Sequence, residues 1–351
     1  MRETGRYATA VALTGALKSF ILTPSQYENM LRIRDPYKVL TMLEETVYKQ
    51  AVSEVLDKTL NIENIERALL THYYDVFRKV LTVTPAYVKP LLNAILARHE
   101  LTCLKTLIKL LAQDVEPEEA FRTIIPVGRY NEDVCKIILN MRDISRIIDF
   151  VKLEEVELKS IFSSLFHIVL SKKIGYTAPL ETAIDKYAMI QVWNEVQKLK
   201  GFDRKMAEHL IGMEIDAMNI MTVLRIKSIG VDIGNIGDFI IPAYYKITND
   251  TLIKMYVAPS ISKAMDILME SYYGKVILLS REKTLFEVEV SLKRHIAKES
   301  AKVFQGDRFH VGILIGFLNL KFYEVNDLIT IINGKIREIP EEDIRKALIL
   351  Y

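Results

Sequence analysis

The stretch MEIDAMNIMTVLRIKSIG, Met213 to Gly230, sets an acid and an amide three positions apart, Asp216 and Asn219, ahead of the apolar pair Val223-Leu224. At i and i+3 the two polar groups share one face of a helix, and the apolar residues take a neighbouring face. The arrangement occurs twice more. Glu100-x-x-Cys103-Leu104 lies 116 residues earlier and Glu324-x-x-Asp327-Leu328 108 residues later, and they run on into Leu107-Ile108 and Ile331-Ile332. The first copy has Cys103 where the second has Asn219, so its signature is degraded.

Working outward, other segments repeat at matching offsets. Ile124-Ile125-Pro126 and Ile240-Ile241-Pro242 are 116 residues apart. Arg34-Asp35 recurs as Arg142-Asp143, 108 residues on, and Leu31, Val39 and Leu43 then fall on Leu139, Ile147 and Val151. Glu45-Thr46-Val47-Tyr48 matches Glu270-Ser271-Tyr272-Tyr273. Aliphatic matches come easily in a chain this rich in Ile and Leu, so the polar matches and the Ile-Ile-Pro pair carry the weight. Their offsets vary, which places insertions inside the repeats. Three divergent units are expected, over 1–123, 124–239 and 240–351, with Pro126 and Pro242 near the boundaries because proline lacks the amide a continuing helix needs. Gly230, Gly234 and Gly237 read as a flexible connector into the third unit.

Helical spacing prevails elsewhere. Leu180, Ile184, Tyr187, Ile190 and Leu199 follow a 3.6-residue period behind Pro179, which suits a helix start. The main alternating stretch, Phe286 to Val290 (FEVEV), reads either as a strand or as helix. The predicted fold class is all-α.

Of the 351 residues half are hydrophobic and 26% charged, as in a folded globular protein. The formal charge of +2, from 47 basic and 45 acidic side chains, lacks the basic excess of a nucleic-acid binder. Cys103 and Cys135 fit neither a metal spacing nor a disulfide framework, and both are expected to be buried, inert thiols. The uncharged runs Tyr7–Leu17 and Phe309–Leu320 are too short for a secretory leader or for a bilayer span of about 20 residues. The chain is thus expected in the cytosol, or held at a membrane by another protein. Gly334-Lys335 lacks both the upstream glycine and the following Ser or Thr of a phosphate loop. No paired histidine spacing and no nucleophile elbow is present, so no catalytic, cofactor or metal residues are expected.

Three stretches together resemble the C-subunit family of archaeal and bacterial A/V-type ATP synthases, whose vacuolar counterpart is the d subunit. They are the opening unit Tyr7–Tyr48 ending in MLEETVY, the segment LETAIDKYAMIQVW with the helix Met213–Gly230, and the run from FHVGILIGFLNLKFYEVNDL to EEDIRKAL. They cover nearly the whole chain in the expected order. The resemblance implies a pseudo-threefold funnel of three related helical bundles, without chemistry of its own. It would lie at the cytoplasmic face of the membrane. One end would rest on the membrane proteolipid ring and the other would receive the central-stalk subunits D and F. No cofactor, nucleotide or nucleic acid is implied.

Glu100, Asp216, Asn219, Arg225, Glu324 and Asp327 are the candidate site residues. One reading has them hydrogen-bond between repeats or to backbone at a helix end, with Arg225 as ion partner. The other, which needs the funnel, sets them around its cavity against the stalk. Arg32, Arg34, Lys38, Lys293 and Arg294 read as solvated surface or as contacts to ring loops and lipid headgroups. Tyr73-Tyr74, Tyr244-Tyr245 and Tyr272-Tyr273 are expected to pack between helices with their hydroxyls bonded. A free cytosolic helical-repeat scaffold is the alternative function.

Overall fold

Residues 312–336, GILIGFLNLKFYEVNDLITIINGKI, are apolar around most of the helix circumference. Such a helix must be covered on all sides. In the computed structural model, which describes residues 3–56, 60–142, 146, 178–230, 234–277 and 284–351, it lies at the centre of its unit. In chain order the helices are α1 (Glu3–Lys18), α2 (Pro24–Arg32), α3 (Pro36–Leu43), α4 (Lys49–Leu56), α5 (Ile62–Val83), α6 (Lys89–Ala112), α7 (Pro117–Thr123), α8 (Glu132–Met141), α9 (Ala178–Lys198), α10 (Gly201–Ile229), α11 (Asn249–Val257), α12 (Ile261–Glu270), α13 (Gly274–Ile277), α14 (Leu285–Lys302), α15 (Gly312–Ile336) and α16 (Glu341–Ala347). Among the described residues the β-type pairing is a lone antiparallel bridge, Val127 to Tyr130. The chain is all-α.

Local chemistry sets the helix starts. Thr23 and Thr284 each close a capping box, with Gln26 and Glu287, and Asp35 and Asn61 accept backbone N–H groups at the heads of α3 and α5. Phe286–Val290 belongs to α14, because the Thr284 cap begins a helix immediately before it. At the far end of α10, Gly230 takes a left-handed conformation (φ 70°), the usual helix stop.

The chain divides into two compact units, Met1–Lys89 with Val196–Tyr351, and Pro90–Glu195. In the first, α15 packs against α14, α5, α1, α10, α3 and α16, and α10 against α14, α11 and α12. Helix α14 approaches α15 so closely that a Cβ at Gly316 would lie 2.7 Å from the Ser300 carbonyl oxygen. Ile220, Val223, Leu224, Leu252, Met255, Leu268, Tyr273 and Val288 form one buried cluster of this unit. In the second unit Leu104, Leu107, Ile138, Leu139 and Ile184 are buried, and the Lys105 ammonium lies 2.5 Å from Asp185, joining α6 to α9.

The series α2 to α6 and α11 to α15 run in the same order, three short helices followed by two longer ones. The matched tetrapeptides fall at the same place in both, after the second short helix. Of the other matches, Arg142 caps α8 in a left-handed conformation, while Asp143, Ile147 and Val151 lie outside the described residues. Gly230 and Gly234 flank residues 231–233 of the connector, which also lie outside them.

Candidate inter-repeat interface

Residues 240–247 run between helices with few backbone bonds of their own, so their amides need partners from elsewhere. Helix α10 supplies them. Asp216, wholly buried, accepts three consecutive backbone N–H groups: Tyr245 on Oδ1 at 3.0 Å, and Lys246 and Ile247 on Oδ2 at 2.6 and 3.1 Å. The Tyr273 hydroxyl donates to Oδ2 at 2.8 Å. One turn on, Asn219 donates to the Ile241 carbonyl at 3.0 Å and accepts the Ile241 N–H at 2.7 Å. Gly212 lets α10 come this near, since a Cβ there would lie 2.7 Å from Cβ of Tyr245.

Helix α15 repeats the device. Glu324, also wholly buried, accepts the Leu22 N–H on Oε2 at 3.0 Å. Its Oε1 accepts a short bond from the Tyr48 hydroxyl and one from the Lys321 ammonium at 2.9 Å. The ammonium lies 2.8 Å from the Tyr48 oxygen as well. Asp327 takes the Ile349 N–H on Oδ1 and the Leu350 N–H on Oδ2, both at 2.8 Å.

In the second unit Glu100 of α6 accepts the Arg129 N–H at 3.3 Å on Oε1 and its Nε–H at 2.8 Å on Oε2. Gly128 precedes that amide at φ 55°, where a Cβ would overlap the Glu100 carboxylate. Glycine is needed there for conformation and for space.

The spacings agree. Glu100 to Arg129 and Asp216 to Tyr245 are both 29 residues, and Asn219 to Ile241 and Asp327 to Ile349 are both 22. Cys103, matched in sequence to Asn219, instead sets its sulfur 3.8 Å from that of Cys135. Arg225 turns away from Asp216 and pairs with Glu289 at 2.6 Å on a half-exposed face.

Burial raises the Asp216 carboxyl above its usual pKa, opposed by the amides of Lys246, Tyr245 and Ile247. Burial likewise lifts Asp327 to about 6, against the amides of Leu350 and Ile349. The Tyr273 and Tyr48 hydroxyls are pushed well up, first by burial and then by the carboxylates they face. Lys321 is pushed down by burial, with Glu324 pulling the other way. A buried carboxylate met by two or three amides is a strong anchor, since losing it leaves those amides unpaired.

Sequence reasoning placed the acids on one helix face and expected the Tyr273 hydroxyl to be bonded, but missed its partner and missed Tyr48, Lys321 and the Leu22 amide. Tyr48 and Tyr273 had a signal, because they are the matched ends of the repeated tetrapeptide. Nothing local marked Leu22. Among the described residues, no group of three His, Cys, Asp or Glu side chains is placed to hold a metal, and no helix is long and apolar enough to cross a membrane.

The fold and these anchors define an all-helical protein whose long helices grip loops through buried carboxylates. The chain belongs to the ATP synthase (C/AC39) subunit family, whose profile matches residues 10–347. It is similar to the A-type ATP synthase C subunit of Methanocaldococcus jannaschii, at 23% identity over 89% of this chain and 78% of the relative. It is also similar to the C subunits of the A-type ATP synthases of Archaeoglobus fulgidus (25% identity; 98% of this chain and 96% of the relative) and Methanococcoides burtonii (21%; 99% and 95%).

Proposed function

We propose that the chain is the rotor adapter of an A-type ATP synthase, a socket that couples a membrane proteolipid ring to the central stalk of subunits D and F. It has no catalytic step of its own and sits peripherally at the cytoplasmic face of the membrane, held by the complex. Three helical repeats, over 1–123, 124–239 and 240–351, form a closed pseudo-threefold funnel around an axial space.

The observation that carries this reading is the succession of anchors. Glu100 holds Arg129 at the head of the next helical set, Asp216 holds Tyr245 at the head of the one after, and Glu324 holds Leu22 at the head of the first. The grip of Glu324 on the Leu22 amide brings the last helical set back onto the first across 302 residues, which supports a closed arrangement. Membership of the family and the similarity to the archaeal C subunits support the rest. A part that passes torque must resist deformation, and densely packed helices have low compressibility.

Two measurements test this. Washed membranes should retain the chain and release it with the ATPase head. Single-particle images of the isolated chain should show three lobes around a closed axis. Recovery only from the soluble fraction, or an open superhelix, overturns the proposal and favours the free scaffold.

A further inference from the structure

We propose that Cys103 and Cys135 are a disulfide-forming pair, a covalent modification site that ties α6 to the first turn of α8. The two sulfurs are 3.8 Å apart, in van der Waals contact, although 32 residues separate them in sequence. The surrounding corner is already held in place. Glu100, one turn before Cys103, grips Arg129, the Val127–Tyr130 bridge closes the turn, and the Cys135 sulfur lies 3.3 Å from the Tyr130 carbonyl. Formation of the bond closes the remaining gap from 3.8 Å to about 2.05 Å. Position 103 also matches Asn219, whose side chain holds the Ile-Ile-Pro segment by two hydrogen bonds to Ile241. In the first copy a sulfur stands in that place, and a disulfide would tie it to α8, beyond the Ile124-Ile125-Pro126 segment.

The reaction is thiol–disulfide exchange with a small disulfide as oxidant. The thiolate of Cys103, the more exposed of the pair at 5%, attacks the oxidant's disulfide and releases one small thiolate. The Cys135 thiolate then attacks the Cys103 sulfur of the mixed disulfide and releases the second. The protein loses two protons and two electrons, and the oxidant becomes two thiols. The hydrogen bond with the Cys135 sulfur, and then burial, push the Cys103 thiol well above its ordinary pKa, so exchange occurs while the corner is open, during folding or under mild denaturant.

These are the only cysteines in the chain, which makes the test direct. The full-length protein is refolded with glutathione disulfide, quenched, and alkylated under denaturing conditions. The expected result is loss of both thiols in a species that migrates as a monomer without reductant, a Cys103–Cys135 peptide by mass spectrometry, and a Tm raised by about 5–10 °C that dithiothreitol reverses. Two surviving thiols, a disulfide-linked dimer, or a linked monomer with unchanged or lowered Tm overturns the proposal. The wild-type thiol count stands even where Cys103→Ala folds poorly.

Discussion

The Tyr273 hydroxyl donates to the Asp216 carboxylate at 2.8 Å across 57 residues of chain, and Tyr48 makes the same bond to Glu324 across 276. Both tyrosines close repeated tetrapeptides, and both acids belong to the repeated acid-x-x-polar helices. Two separate repeats in the sequence therefore meet in pairs inside the fold.

Removing one of these hydroxyls tests the pairing. Tyr273→Phe is expected to lower stability by about 1.5–3 kcal/mol, the range for a hydrogen bond to a charged acceptor. Asp216→Ala is expected to lower it further, because Tyr245, Lys246 and Ile247 then lose an acceptor together. Urea unfolding followed by circular dichroism measures both. A Tyr273→Phe protein as stable as the wild type would show that the bond adds nothing.

The pair of Lys321 and Glu324 makes a different expectation. Both side chains are almost wholly buried, so deleting one charge strands the other. Lys321→Met is expected to destabilise by about 3–5 kcal/mol. The double variant Lys321→Met with Glu324→Gln should recover part of that loss, since no charge is then left alone. Additive losses in the double-mutant cycle would show that the two charges are not coupled.

Asp327 sets a pH dependence whose sign follows from its raised pKa. Its carboxyl titrates near 6 in the folded chain, against an ordinary value of 3.8. Between those values the folded state holds a proton that the unfolded state has lost. The stability this group contributes is thus complete below pH 3.8, declines as pH rises through 6, and is constant above. Relative to Asp327→Asn, the wild-type advantage should shrink by up to about 1.4 kcal/mol per pH unit across that window. An advantage that does not vary between pH 4 and 6 would contradict the assignment.

His72 acts in the opposite direction. Burial, helped by the Lys321 charge, lowers it from 6.5 to about 4, and its Nε2 is buried without a hydrogen-bond partner among the described residues, beside the Tyr48 ring 4.7 Å away. Below pH 6.5 the unfolded chain gains a proton that the folded chain refuses. Stability present above pH 6.5 is therefore lost as pH falls toward 4. His72→Phe keeps the ring packing and should flatten that part of the acid limb, while His99, lowered by burial to about 3, keeps its own share. Thermal melts at half-unit steps from pH 4 to 7 give the comparison.

The sequence carried the helical class because 3.6-residue periodicity is local and recurs along the chain. It also carried the acid-x-x-polar faces, since i to i+3 spacing fixes them without reference to the rest of the fold. What those faces bind was not legible. The Leu22 amide and Glu324 are 302 residues apart, and any residue but proline offers the same N–H. Arg225 was read as an ion partner of the acid-x-x-polar residues, yet Glu289 on a separate helix takes its guanidinium. The cysteines were expected to be buried and are, but spacing says nothing about two sulfurs brought together from different helices.

Asp327 meets Ile349 with one oxygen and Leu350 with the other, and Asp216 divides its oxygens among three amides in the same manner. A segment fastened at one point can pivot about it, whereas a segment fastened at two cannot. These joints therefore fix direction as well as position. A shear applied along either long helix reaches the gripped backbone as displacement, with little lost to swivelling.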